Sequence, residues 1–220
     1  MKGKTIQDDK KRIQEILHRL SNAYQDAPPT YLYFNNPFEM VIATILSARA
    51  TDAGVNKITP VLFGKYPNSV KMAKGDVEDL AQIIRSCGAY NRKAAYIKKT
   101  AEMISENFGG NVPNTLDDLI TLPGVSRKTA NVVLQTVFGI AEGVIVDTHI
   151  MRVTIRLGFS QYDKKPDKIE KDLMQLLPRD RWIDYARLIG AHGRQTCKAS
   201  HPKCSTCTIN KLCPSSEIEN

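Results

Sequence analysis

An all-α fold is what this sequence predicts, and three observations carry that reading. Apolar residues recur at helical spacing over almost the whole chain. No stretch alternates apolar and polar residues as a half-buried strand does. With 220 residues, of which 42% are hydrophobic, the chain can bury a core of one large domain or two small ones.

The helices can be read in order. Ile13, Ile16, Leu17, Leu20 and Tyr24 lie on one stripe of an amphipathic helix, which Pro28 and Pro29 bring to an end. Asn36-Pro37-Phe38-Glu39 reads as an N-cap, a first-turn proline and a capping glutamate. Met40 to Leu46 is apolar on nearly all sides, interrupted only by Thr44, so this helix is expected to be central and buried. Further helices are expected at about 52–63, 76–85 and 91–107, the last ended by Gly109-Gly110. Asn114 is expected to cap a short helix through Ile120. Leu122-Pro123-Gly124-Val125-Ser126 is a tight connector to a second helix from Arg127 to Phe138. Asp147 precedes a helix ending at Gly158, and two more are expected at about 165–177 and 180–191. From Cys197 onward the chain is irregular, and no repeat or low-complexity linker is visible.

Lys and Arg outnumber Asp and Glu by 31 to 23, a formal net charge of +8. Clustered cations gain affinity for a polyanion by releasing counterions from phosphates, so nucleic acid is a candidate partner. No apolar run is long enough to span a bilayer, and the polar N-terminal stretch shows no secretory signal. We therefore expect a cytoplasmic chain with no membrane partner, in a reducing compartment where cysteines favour metals over disulfides.

Cys197, Cys204, Cys207 and Cys213 are spaced C-x6-C-x2-C-x5-C. So few apolar residues lie between them that the tail needs a metal to organise it; paired disulfides are the alternative. Structural zinc usually takes two close C-x2-C pairs, whereas one close pair with two outliers suits a cubane iron–sulfur cluster at least as well. Arg194, Lys198, Lys203, Lys211 and His201 surround the tail. A short loop from Lys198 to Lys203, pinned at both ends, can hold a phosphate or be merely solvated. Cys87 lies far away and reads as a buried thiol.

Gly124 can adopt positive φ, letting the chain reverse between two helices. Backbone N–H groups at the start of the next helix can then bind a phosphate without reading sequence. Lys128 follows at that helix start. The positive end of the helix dipole disfavours an ammonium, and desolvation would lower its pKa further, which makes a lysine a usable nucleophile. The plainer reading is a surface lysine in a basic patch. Asp147 serves as an N-cap on its own account, and can also stabilise a cationic sugar and assist proton transfer.

Three features now stand in order: Leu-Pro-Gly-Val-Ser-Arg-Lys-Thr-Ala-Asn at 122–131, Val-Asp-Thr-His at 146–149, and the four-cysteine tail. Together they resemble the endonuclease III family of DNA glycosylases in the helix-hairpin-helix superfamily. Leu46-Ser47-Ala48, Ala50-Thr51-Asp52, Tyr90-Asn91 and Lys93-Ala94 match too, and the similarity runs from about residue 10 to 214. The resemblance implies a two-domain all-α fold. One domain spans about 29–141 and carries the hairpin at about 115–138; the other joins 1–28 to 142–220 with a cluster loop at 197–213. It implies damaged double-stranded DNA in the cleft between them, a flipped-out nucleotide, and a nucleoid-associated monomer. Lys128 matches the family's nucleophile, Asp147 its carboxylate, and Cys197, Cys204, Cys207 and Cys213 its [4Fe–4S] ligands. The implied reaction removes oxidised pyrimidines through a Lys128 imine and cuts the strand by β-elimination, the cluster being structural. Leu122, Gly124, Ser126, Arg127, Lys198, Lys203 and Arg49 are the implied DNA contacts.

There are two departures. Ser126 stands where the family usually has a second hairpin glycine, and Arg49 where it has a gap-filling glutamine. Ser126 keeps its N–H donor if its φ is ordinary. Arg49 is expected to alter opposite-base preference, or else to be a structural arginine on a helix end. Two other functions compete: a monofunctional uracil or thymine-mismatch glycosylase, and a non-enzymatic DNA-binding module that would need neither Lys128 nor Asp147.

Overall fold

The computed structural model describes residues 5–216. Its α-helices are α1 (Ile6–Ala23), α2 (Pro37–Ser47), α3 (Asp52–Lys65), α4 (Ser69–Ala73), α5 (Val77–Ile83), α6 (Tyr90–Asn107), α7 (Leu116–Thr121), α8 (Arg127–Val133), α9 (Thr148–Arg156), α10 (Pro166–Leu176) and α11 (Trp182–Gln195). Among the described residues there is no strand, as the periodicity predicted. The chain divides into two compact units: Thr30–Glu142, and the described parts of Met1–Pro29 with Gly143–Asn220.

The Thr30–Glu142 unit is built around α2. Asn36 Oδ1 accepts the Glu39 N–H at 3.0 Å, and Pro37 fills a position whose missing donor costs nothing. Glu39 Oε2 in turn accepts the Asn35 N–H at 2.7 Å, which fixes the chain's entry into the helix. Every residue from Phe38 to Leu46 is buried. Thr44 is accommodated because its hydroxyl donates to the Met40 carbonyl at 2.7 Å. Helices α3, α6 and α8 pack on α2, while α4 and α5 pack on α6.

The sequence-based expectation had no helix at α4 and carried α9 on to Gly158, and three further boundaries depart from it for a clear physical reason. The cap of α7 is Thr115 rather than Asn114: its backbone is extended and its hydroxyl oxygen accepts the Asp118 N–H at 3.2 Å. The helix after the connector is α-helical only to Val133, and Leu134–Phe138 is a π-helical turn ended by Gly139 at φ +67°. α11 runs on to Gln195 through Gly190 and Gly193. A Cβ at Gly193 would lie 3.0 Å from His149 Cβ, so the glycine serves the close approach of α11 to α9 rather than breaking the helix.

In the second unit, α1 starts with a reciprocal cap between Thr5 and Asp8 and buries Ile13, Ile16, Leu17 and Leu20. It packs on α10 and α11, and α9 packs on α11. Tyr185, wholly buried in α11, shares a 2.8 Å hydrogen bond with the Thr154 hydroxyl of α9.

Candidate active-site lysine, acidic cap and cysteine loop

The turn before α8 depends on Gly124, whose φ is +80°. A Cβ there would meet Tyr96 Cδ2 at 3.0 Å and Ile45 Cγ2 at 3.2 Å. The buried Thr100 hydroxyl donates to the Pro123 carbonyl at 2.8 Å, so α6 braces the turn from below. Leu122 is buried, and its N–H and C=O are both used within the turn, by the Leu119 carbonyl and the Val125 N–H. Ser126 has an ordinary φ of −82° and caps α8, its Oγ accepting the Thr129 N–H at 3.2 Å. The serine therefore keeps the donor a glycine would offer and adds a cap. Arg127 is exposed and donates to the Glu142 carbonyl at 3.2 Å.

Lys128 is the second residue of α8 and is exposed. Its amine has no hydrogen bond or ion pair among the described residues. Burial within this unit therefore does not desolvate it, contrary to one of the two effects expected to make it nucleophilic. The deeply buried lysine of the unit is Lys93, which the sequence reading noted only as part of a matching segment. Its Nζ donates to the Leu46 carbonyl in the last turn of α2 at 2.8 Å, where a cation complements the helix dipole. Burial holds its pKa below the ordinary 10.5. Nearby in sequence, Arg49 lies beyond the end of α2, exposed, with φ +56°. That is a strained conformation for a side-chain-bearing residue, at the position just past the helix cap where a left-handed residue commonly ends a helix. Cys87 is buried, as expected, and burial pushes its thiol pKa up.

In the other unit, Asp147 caps α9. Its Oδ1 accepts the His149 and Ile150 N–H groups, each at 2.8 Å, and its Oδ2 lies 3.4 Å from Arg194 Nη2. Burial pushes the pKa of His149 down, with the nearby Asp147 carboxylate acting the other way.

The four cysteines line one cavity of about 260 Å3. No three His, Cys, Asp or Glu side chains among the described residues are placed to hold a single metal ion. Four thiols around one cavity are a donor set that zinc or an iron–sulfur cluster takes. Burial raises the pKa of Cys207 and Cys213, and repulsion from the other cysteines, Cys197 and Cys204, adds to it, a charge that bound iron would neutralise. Sequence reasoning missed the arginines that hold this loop, because their partners are far away in the chain. Arg156 Nη1 donates to Cys197 Sγ at 3.2 Å and to the Lys198 carbonyl at 2.7 Å. Arg152 Nη2 donates to the Cys197 carbonyl at 3.0 Å. His192 is buried with its pKa pushed down to about 4, and bridges the Tyr24 hydroxyl at 3.0 Å and Cys207 Sγ at 3.8 Å. Lys198 and Lys203 are exposed.

The helical fold with its braced hairpin is that of a class of DNA repair proteins. The HhH-GPD superfamily of base excision DNA repair proteins matches residues 42–179. An endonuclease III from Synechocystis sp. is 44% identical over 208 residues, 94% of each chain. The structure of an endonuclease III trapped as a covalent intermediate with DNA, in an estranged-adenine complex, superposes with a TM-score of 0.87 at 40% identity. It covers 94% of this chain and 96% of that one. A thermostable thymine-DNA glycosylase superposes with a TM-score of 0.81 at 25% identity, covering 96% and 98%. The chain belongs to the endonuclease III family.

Proposed function

We propose that this chain is a base excision DNA glycosylase and AP lyase that removes oxidised pyrimidines from double-stranded DNA and cuts the strand 3′ to the abasic site. Lys128 carries the reading: an exposed, unengaged primary amine directly after a braced hairpin. The trapped covalent complex of a relative with DNA supports it.

With the damaged nucleotide flipped out, the neutral Lys128 amine attacks C1′. The glycosidic bond breaks, its electron pair leaves with the base, and the base takes up a proton. The nitrogen loses a proton and its lone pair forms the C1′=N bond as the C1′–O4′ bond breaks; O4′ keeps that electron pair and takes up a proton, and loss of the second nitrogen proton leaves an imine at C1′. Loss of a C2′ proton then breaks the C3′–O bond, and the 3′ phosphate departs with that electron pair. Water hydrolyses the imine and returns the lysine. Because Lys128 is exposed in its own unit, docked DNA is what excludes water from it. Asp147 supplies the carboxylate that stabilises charge developing on the sugar and assists proton transfer.

Gly124, Ser126 and Arg127 serve the strand through the hairpin, with Leu122 holding the turn. Lys198 and Lys203 serve it through the cysteine loop, and Arg49 acts at the lesion. Cys197, Cys204, Cys207 and Cys213 would hold a [4Fe–4S] cluster, which supplies order to the loop. The chain acts as a monomer on damaged DNA in the nucleoid.

The test is a duplex with one thymine glycol, incubated with protein and then with sodium borohydride. A covalent adduct that Lys128→Ala abolishes is the expected result. Base release without an adduct would support a monofunctional glycosylase, a reading that the likeness to a thymine-DNA glycosylase keeps in view. Binding with neither adduct nor release would overturn the proposed substrate or the enzyme reading.

A further inference from the structure

The cysteine loop closes with very little apolar burial of its own. From Lys198 to Ser216, Ile209 is the buried hydrophobic residue. Its closure therefore depends on polar anchors reaching it from the helices. At the Cys197 end the anchor is Arg156, already described. At the Cys213 end it is a residue from the other extreme of the chain.

Arg12, on α1, donates from Nη1 to two carbonyls at once: Leu157, just past α9, at 2.7 Å, and Leu212, the residue before Cys213, at 3.1 Å. Its Nη2 and Nε donate to Asp9 Oδ1 at 2.7 and 3.2 Å, one turn earlier on the same helix. Its guanidinium carbon lies 4.2 Å from the centre of the Phe159 ring. Only 12% of the side chain is exposed. A mostly covered guanidinium with its hydrogen-bonding edge shared among two carbonyls and a carboxylate has one well-defined position. Lysine, with a single ammonium, offers neither the planar fork nor the stacking face.

We propose that Arg12 is the latch that closes the cysteine loop onto α1 and α9 and so sets how long the loop retains its cluster. The inference rests on the assignment of the four cysteines as cluster ligands. Arg12 acts by holding the backbone beside Cys213, and is a positioning residue. It makes the first helix of the chain part of the support for a site nearly two hundred residues later.

The experiment follows the cluster in the absence of DNA. The full-length parent, Arg12→Met, Arg12→Lys and Arg19→Gln are purified and exposed to air with excess iron chelator. Visible absorbance and protein-bound iron are recorded with time, and helix content by circular dichroism before exposure. Arg19 serves as a comparator, because it pairs with Glu15 on the outside of the same helix. We expect Arg12→Met to lose the cluster about tenfold faster or more, from two charge-assisted hydrogen bonds lost to the loop and to α9. Arg12→Lys should fall between it and the parent, and Arg19→Gln should match the parent. Loss from Arg12→Met at the parent's rate, with helix content unchanged, would overturn the proposal. If Arg12→Met gives no soluble protein, Asp9→Asn decides. It keeps the arginine but removes the charge that aims it, so cluster loss several-fold faster supports the latch and the parent's rate overturns it. A parent without iron or sulfide would overturn the cluster assignment itself and the latch with it, a result distinct from an intact cluster indifferent to Arg12.

Discussion

Asp147 uses its two carboxylate oxygens for different tasks: Oδ1 takes both backbone N–H groups at the start of α9, while Oδ2 lies 3.4 Å from Arg194 Nη2. The cap fixes where the carboxylate points, and the arginine lies on the oxygen that the cap leaves over. The charge of Asp147 and its capping are therefore separable. Asn caps a helix as well as Asp, so Asp147→Asn should change stability by no more than about 0.5 kcal/mol, whereas Asp147→Ala should cost about 1 kcal/mol. Both should slow base release about a hundredfold or more, as loss of a catalytic carboxylate does. Urea unfolding beside single-turnover base release checks this. Full activity in Asp147→Asn would leave the residue a cap and nothing else.

Gly124 should not tolerate a side chain. At φ +80° a Cβ is strained, and the neighbours it would meet, Tyr96 and Ile45, are packed in the hairpin's support. Gly124→Ala is expected to cost about 1–2 kcal/mol and to weaken binding to an abasic duplex. Equilibrium unfolding and a fluorescence-anisotropy titration report the two effects. An unchanged parent-like value in both would mean the turn is free to relax.

Lys93 predicts a pH dependence of stability. Burial holds its folded pKa below 10.5, so the unfolded chain binds that proton more tightly than the folded one. Stability should then rise with pH from the depressed folded value up to 10.5, and be independent of this group below that window. The difference in unfolding free energy between the parent and Lys93→Met should move in the parent's favour as the pH is raised toward 10.5. A constant difference would mean that the amine is not desolvated when folded.

Arg49 joins strain to exposure. A side chain held at φ +56° costs of the order of 1 kcal/mol, and an arginine kept there, exposed, suits a role toward a ligand better than one in packing. Arg49→Gln should alter the ratio of nicking rates when each of the four bases is placed opposite one lesion. An unaltered ratio would remove Arg49 from lesion recognition.

Much of this protein is written locally. The stripe on α1, the Asn36–Pro37–Glu39 start of α2, the glycine turn at 124 and the Asp147 cap rest on interactions spanning at most four or so residues, so their chemistry can be read along the chain. The cysteine spacing is equally local, and the scarcity of apolar residues around it is what leads to the expectation of a metal. The misplaced boundaries came where two local signals competed, as at Asn114 and Thr115, or where packing overrode them, as at Gly193 against His149.

The rest was settled by packing between distant segments. Nothing near Arg12 indicates that it would reach carbonyls 145 and 200 residues away. Helical spacing puts Lys93 on the same face as Ile97 and Ile104, away from the exposed Lys99, but nothing near it in the chain names its partner, the Leu46 carbonyl. Burial, long-range hydrogen bonds and the positive φ of Arg49 arise when helices dock and fix where each backbone end can go. A polar side chain taken into that interior must then find whichever partner lies within reach, wherever that partner falls in the sequence.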